Sequence, residues 1–386
     1  MKKILKLNEI SPVANSIFTD YEYTKDVADP CGIMLRSFKM HDYAIPESLL
    51  AVARAGAGTN NIPIDVCSEK GIVVFNTPGA NANAVKELAI CGLLLSSRKV
   101  VQSYAWACGQ KEVGADVPKL VEKEKSKFGG PEIIGKKLGV VGLGAIGAMV
   151  ANACADLGMQ VFGYDPYISI DSAWGLSKQI KHVTDFNELI SSCDYITLHV
   201  PLVSGTKECI NKESISKMKN GVRVINFSRG ELVDNAAMVE ACESGKVACY
   251  VTDFPTAELI GYDNIVTLPH LGASTPEAED NCAVLAGKQL VDYIENGNIK
   301  NSVNFPAVSM ARSGDVRVAV VHKNVKNILS SLTSIISELG LNIANMANAS
   351  SGDYAYSLFD LDGDLASSDI AKFAQVEGVV KARVLR

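Results

Sequence analysis

Between residues 137 and 269, short apolar runs alternate with segments whose apolar residues recur at helical spacing. The runs at 138–142, 160–164, 195–200, 222–227, 248–252 and 265–268 carry apolar residues on both alternating faces. A half-exposed antiparallel strand does not carry that pattern, whereas a strand covered on both faces does. Alternation of such strands with helices predicts a parallel, doubly wound α/β sheet. Upstream, 4–7, 32–35 and 72–76 predict strands of a smaller α/β unit, and 83–97 predicts a helix with Asn83 as its N-cap. Residues 276–295 read as one long helix.

The stretch 296–306, followed by 312–315, is polar and broken by Gly297, Pro306 and Gly314, which marks it as the linker candidate. Beyond it, strands at 316–321, 342–348, 354–360 and 379–385 and helices at 325–339 and 367–374 give a βαββαβ order, a two-layer α+β unit with its own core.

Composition narrows the function classes. A chain of 386 residues with 47% hydrophobic and 21% charged residues has ordinary globular usage. Its net charge of −6 removes the electrostatic attraction on which nucleic-acid binding depends, so no nucleic-acid partner is expected. The ten cysteines show no CxxC pair and no zinc-ligand spacing; they read as buried hydrophobes in a reducing compartment, with no metal. Lys6, Asn8 and Glu9 interrupt any apolar signal-peptide core, and the uncharged stretch 138–155 is broken by four glycines, so a cytoplasmic chain without a membrane segment is expected.

Gly142-Leu143-Gly144-Ala145-Ile146-Gly147 follows a predicted strand, opens a helix, and precedes Asp165 by 18 residues counted from Gly147. Gly142 permits the tight turn, Gly144 lets a pyrophosphate approach the backbone, and Gly147 lets helix and strand pack closely. The helix N-terminus offers unpaired N–H groups to phosphate, and Asp165 offers acceptors to the ribose hydroxyls while repelling a 2′-phosphate. NAD rather than NADP is the expected cofactor.

Three further residues follow strand ends, where ligands of such sheets bind. Arg229 has the planar fork that suits a carboxylate. His270 is a candidate acid–base group, and Glu258, 12 residues before it, is a candidate partner. A carboxylate hydrogen-bonded to the imidazole would fix its tautomer and raise its pKa above the usual value of about 6.5. An anion clamp, an acid–base histidine and an orienting carboxylate are the parts needed to oxidise a 2-hydroxy acid.

These residues, with RAGAGTNN at 54–61, NTPGANANAVKE at 76–87, LHVP at 198–201, NFSRGELVD at 226–234 and PHLGAST at 269–275, resemble the D-isomer-specific 2-hydroxyacid dehydrogenases over nearly the whole chain. The resemblance implies a catalytic trio of Arg229, Glu258 and His270. It implies NAD contacts from Thr77, Val85, Gly142, Gly144, Ala145, Ile146, Gly147, Asp165, Val200, Phe227, Ser228, Asp253 and Ala273, with Asp253 reaching the nicotinamide amide. Arg36, Ser37, Gly56, Gly58 and Asn81, together with Arg229, would hold substrate. The implied fold is a Rossmann-type cofactor domain at 87–273, a discontinuous flavodoxin-like substrate domain at 1–86 and 274–305, a linker at 306–315 and a C-terminal domain at 316–386. Within the family the chain is most similar to members that oxidise D-3-phosphoglycerate to 3-phosphohydroxypyruvate, the first step of L-serine biosynthesis, and that assemble as homodimers or homotetramers. The rival expectations are a dehydrogenase for another D-2-hydroxy acid, such as lactate, glycerate or 2-hydroxyglutarate, and a non-catalytic NAD-sensing protein.

The sequence departs from the family pattern in three places. A charged insertion at 111–128 replaces a usual tryptophan; some relatives use a lysine there to reach phosphate across a dimer, and Lys125 is either such a residue or, the favoured reading, a solvated loop residue. The Glu258 loop is short and lacks the usual proline. The C-terminal unit resembles an ACT domain, in which a histidine and two asparagines hold L-serine in some relatives. His322, Asn324 and Asn342 match them, but Asn327 stands where a glycine is usual.

Overall fold

The computed structural model describes residues 1–366 and 368–385. Five strands, β1 (Lys2–Leu7), β2 (Tyr21–Thr24), β3 (Gly32–Leu35), β4 (Ala51–Arg54) and β5 (Val73–Phe75), form a parallel sheet in the order β2-β1-β3-β4-β5. This is the flavodoxin-like order expected. Ile33, Leu35, Val52 and Val74 bury one face of it, and Ile4, Met34, Ala53, Val73 and Phe75 the other, against Ala286, Leu290 and Tyr293 of the helix Pro276–Asn296.

Seven strands follow: β6 (Lys137–Val141), β7 (Gln160–Tyr164), β8 (Lys181–His182), β9 (Tyr195–Leu198), β10 (Val222–Asn226), β11 (Val247–Thr252) and β12 (Ile265–Thr267). They form a second parallel sheet, ordered β12-β11-β10-β9-β6-β7-β8. Alternate residues face opposite layers: Ile196, Val224 and Tyr250 enter one apolar cluster, and Tyr195, Ile225 and Val251 the other. Both faces are covered, which is why these strands read as continuous apolar runs. Strand order reverses between β6 and β9, so the turn after β6 lies at the switch point where such sheets bind ligands.

The C-terminal strands β13 (Val316–Lys323), β14 (Asn342–Ser351), β15 (Tyr354–Asp362) and β16 (Val379–Leu385) form an antiparallel sheet, β14-β15-β13-β16. Its helices Ile328–Glu338 and Ile370–Ala374 pack on the face of Val318, Val320 and Phe359. Ser367, the expected start of the second helix, lies outside the described residues.

The chain divides into two compact units, 1–81 with 279–386 and 82–278. The C-terminal sheet therefore shares a unit with the N-terminal sheet instead of standing beyond a linker. Its second face, with Ala319, Val321, Tyr356 and Leu358, enters the same apolar cluster as Tyr293, Ile294, Phe305 and Val308. The segment 306–315, expected as a linker, is tied down along its length: Val308 pairs with Ile299, and Met310 N–H donates to Asn298. Arg317, 1% exposed, binds Asp360 through Nε (2.5 Å) and Nη2 (2.8 Å) and also donates to the carbonyls of Asn296, Met310 and Ala311. The polar residues read as a solvated linker instead satisfy buried donors and acceptors.

Two smaller expectations are also corrected. The first helix of the second unit begins at Ala82, so Asn83 is not its cap; it pairs instead with Lys86 and Glu87 on the helix surface. Cys91 and Cys108 are exposed, unlike the six fully buried cysteines.

Candidate active site

The glycine turn joins β6 to the helix Ala145–Asp156. Gly142 has φ +90°, and a Cβ there would lie 2.6 Å from the His199 carbonyl oxygen and 2.8 Å from Val200. At Gly147 it would lie 1.9 Å from the Gly142 oxygen, while at Gly144 it would meet nothing within 4 Å. Two glycines are thus demanded by packing, and the third faces open space beside a helix start that carries no side-chain cap. That start leaves N–H groups to an anion. Asp165 accepts Leu143 N–H at 2.8 Å and Tyr167 N–H at 2.9 Å, one on each carboxylate oxygen. This fixes the carboxylate beside the turn and leaves it lone pairs to spare.

His199, in the LHVP segment, bonds Thr197 Oγ1 through Nε2 at 2.9 Å, and its Nδ1 is buried without a partner. Burial pushes its pKa down to about 4, so the ring beside the glycine turn is neutral at physiological pH. Val85, Ile146, Phe227 and Ala273 share one apolar cluster.

Asp253, just past β11, is 1% exposed. Its Oδ2 accepts Gly272 N–H at 2.8 Å, and its main-chain oxygen accepts His270 N–H at 3.0 Å. Oδ1 is buried without a partner, an acceptor placed for a donor the protein does not supply. Burial raises the pKa of this carboxyl, against the pull of Gly272 N–H and His270. A carboxamide NH₂, such as that of nicotinamide, is the kind of donor that fits. The open Gly144, the uncapped helix start and this orphan acceptor together suit NAD.

His270 is exposed, with φ +51°, and its ring rests on Phe254 at 5.1 Å between centroids. Arg229 is exposed too; its guanidinium donates to the Ser228 carbonyl at 2.6 Å and has no acidic partner among the described residues. The turn that presents it is held by Asn226, which is fully buried and bonds both Ser228 N–H and Arg229 C=O. Ser228 Oγ in turn donates to Leu198 C=O at 2.7 Å. Sequence reasoning overlooked Asn226; its signal is a polar residue at the very end of a mostly apolar strand, directly before the Arg229 turn. The expected Glu258–His270 hydrogen bond is not formed. Glu258 lies in the exposed stretch 255–258, and the imidazole leans on Phe254 instead. Hydrogen bonds between catalytic groups commonly tighten only when substrate is present.

In the other unit, Arg36 follows β3, and its carbonyl accepts Arg54 Nε (3.0 Å) and Asn61 Nδ2 (3.1 Å). Arg54 also donates to the Gly58 carbonyl, and Thr77 N–H donates to Gly56 O at 3.2 Å. Arg36, Gly56, Gly58 and the buried Thr77 thus lie on one bonded network, with Ser37 following Arg36 and Asn81 closing the segment after Thr77. Lys125 is exposed and paired with Glu122.

Of the effector candidates, His322 is buried and bonds Ser357 Oγ at 2.9 Å, and Asn324 donates to Gly352 O. Asn342 pairs with Asp362, seven positions along β15 from the Ala355 that faces His322, so the single chain does not bring the three together. Asn327 adopts the left-handed φ of +67° that a glycine would take. Among the described residues no helix is long and apolar enough to cross a membrane, and no group of three His, Cys, Asp or Glu is placed to hold a metal.

Residues 91–272 match the family model described as D-isomer specific 2-hydroxyacid dehydrogenase, NAD binding domain. The D-3-phosphoglycerate dehydrogenase of Haemophilus influenzae is 35% identical over 349 residues, 87% of this chain and 81% of its own. That of Archaeoglobus fulgidus is 38% identical over 297 residues, 74% of this chain and 54% of its own. Among solved structures, NAD+-bound 3-phosphoglycerate dehydrogenase of Entamoeba histolytica superposes with a TM-score of 0.60 at 27% identity, covering 78% of this chain and 98% of that one. A glyoxylate reductase from Paecilomyes thermophila gives 0.63 at 25%, with the same coverage.

Proposed function

Because the chain belongs to the D-isomer-specific 2-hydroxyacid dehydrogenase family and is an NAD-dependent enzyme of that kind, we propose that it oxidises D-3-phosphoglycerate to 3-phosphohydroxypyruvate, the first step of L-serine biosynthesis. The observation that carries this reading is the 35% identity to a D-3-phosphoglycerate dehydrogenase across 87% of the chain, a span too long to be confined to the cofactor unit.

In this reading NAD supplies the hydride acceptor. Asp253 Oδ1 would take the carboxamide N–H, Asp165 the ribose hydroxyls, and the N–H groups after Gly144 the pyrophosphate. Arg229 holds the substrate carboxylate with its planar pair of donors. His270 accepts the hydroxyl proton as the hydroxyl carbon becomes a carbonyl, and Glu258 stabilises the imidazolium so formed. Arg36, Ser37, Gly56, Gly58 and Asn81 hold the remainder of the substrate, and L-serine is the candidate effector of the C-terminal sheet.

The test is NADH formation from D-3-phosphoglycerate, with L-3-phosphoglycerate and NADP as controls. Turnover of the D isomer with NAD, at rates at least about a hundredfold above either control, supports the reading. Turnover with neither isomer refutes it.

A further inference from the structure

The network around Arg36 contains a carboxylate that neither the motif nor the mechanism uses. Glu279, in the first turn of the helix Pro276–Asn296, places Oε1 2.7 Å from Arg36 Nη1. Both side chains are a little over 40% exposed, so water and solutes reach the pair. The neighbourhood is built around it. Arg36 has its backbone fixed by Arg54 and Asn61, and Arg54 bonds the main-chain oxygens of Arg36 and Gly58. Cys282, one turn along the same helix from Glu279, is raised in pKa by burial, with Thr77, Arg36 and Arg54 opposing this and Glu279 adding to it. Arg36, Arg54, Thr77, Glu279 and Cys282 therefore share one electrostatic site.

An exposed ion pair of this kind contributes little to folding. What it does alter is the potential that an arriving anion meets. We propose that Glu279 is a specificity-determining residue: its carboxylate occupies the anion position of Arg36, and a negatively charged substrate tail must displace it. This rests on the assignment of Arg36 to the substrate site. A phosphate dianion is opposed most by Glu279, a carboxylate tail less, and an uncharged hydroxymethyl tail hardly at all. The like charge set beside the attractive one narrows, without reversing, the preference that Arg36 gives an anionic tail over an uncharged one.

The experiment compares the full-length protein with its Glu279→Gln and Arg36→Gln variants. Each is assayed for reduction of 3-phosphohydroxypyruvate, 2-oxoglutarate and hydroxypyruvate, with NADH affinity read by fluorescence and folding by thermal melting. For Glu279→Gln the KM is expected to fall about tenfold for the phosphorylated acid and about threefold for 2-oxoglutarate, staying within about twofold for hydroxypyruvate. The effect is expected on KM with kcat and NADH affinity held, and to shrink at high salt. An equal change for all three substrates, no change, or a rise in KM for the anionic acids overturns the proposal. If Arg36→Gln leaves KM for the anionic acids unaltered, the assignment of Arg36 itself is wrong. If Arg36→Gln raises it while Glu279→Gln does nothing, only the role of Glu279 fails. The 2-oxoglutarate and hydroxypyruvate arms read the charge effect independently of whether the phosphorylated acid is the natural substrate.

Discussion

Asp253 accepts the N–H of His270 on its main-chain oxygen at 3.0 Å, while its own carboxylate, through Oδ2, holds Gly272 N–H two residues further on. One residue at the end of β11 thereby fixes a histidine in left-handed backbone geometry and leaves a buried acceptor, Oδ1, beside it.

Asp253→Asn separates the two duties of this side chain. The amide oxygen keeps the Gly272 bond, but its NH₂ replaces the orphan acceptor with a donor. Affinity for NADH is expected to fall about tenfold or more. Stability moves the other way. Burial raises the Asp253 pKa, so the ionised carboxylate opposes folding above that raised pKa, and the opposition is relieved as pH falls through it. The unliganded variant is expected to melt higher than the parent at pH 8, with the gap closing toward pH 4. Melting curves across this range, with NADH titrations at pH 8, check both parts.

The glycine turn gives a contrast between neighbours. Gly147→Ala places a methyl 1.9 Å from a main-chain oxygen and is expected to destabilise the cofactor unit by about 3 kcal/mol or more. Gly144→Ala meets no atom within 4 Å, so melting stays within about 1 kcal/mol of the parent while NADH binding is lost. Differential scanning calorimetry and equilibrium dialysis distinguish the two.

Replacing His270 with Asn removes the proposed proton acceptor without touching the cofactor turn. A drop in kcat of about 10²–10⁴-fold with unchanged NADH affinity is expected. Full turnover by the variant would remove His270 from the chemistry.

The Arg317–Asp360 pair ties the C-terminal sheet to the segment 296–311. Burial alone would raise the Asp360 pKa, but hydrogen bonds from Arg317 and Ser313 outweigh it and hold it below the usual aspartate range. Its contribution is therefore full above the unfolded pKa of about 4 and is lost as pH falls through the lower folded value. Asp360→Ala leaves a buried guanidinium unpaired and is expected to cost about 3–5 kcal/mol near neutral pH, with a smaller difference at pH 2–3. Urea titrations at both pH values measure it.

How far the sequence is legible depends on what each residue must do alone. Val222–Asn226 and Tyr195–Leu198 are covered on both faces, and the apolar residues that each carries on both faces show it. β4, Ala51–Arg54, is as deeply buried, but its two alanines carry no strand preference and it is missed. β2, Tyr21–Thr24, is an edge strand whose residues alternate between half-buried and exposed, so it carries no apolar run to mark it. Residues 296–306 read as solvated because they are polar, yet Asn304 binds the backbone of Ile72 and Val74, and Asn301 binds Gln289. Composition reports polarity but not its partners. The glycine turn and Arg229 are legible because backbone geometry and strand ends dictate them. The separation of Glu258 from His270 and the pairing of Glu279 with Arg36 depend on which way side chains turn, and spacing along the chain carries no record of that.

The substrate is tested most directly by NADH consumption with 3-phosphohydroxypyruvate beside pyruvate, hydroxypyruvate and 2-oxoglutarate, each with and without L-serine. The expected kcat/KM is at least about a hundredfold higher for the phosphorylated acid, a discrimination of about 3 kcal/mol. Comparable or faster reduction of an unphosphorylated acid would contradict it and assign the enzyme to a different 2-hydroxy acid.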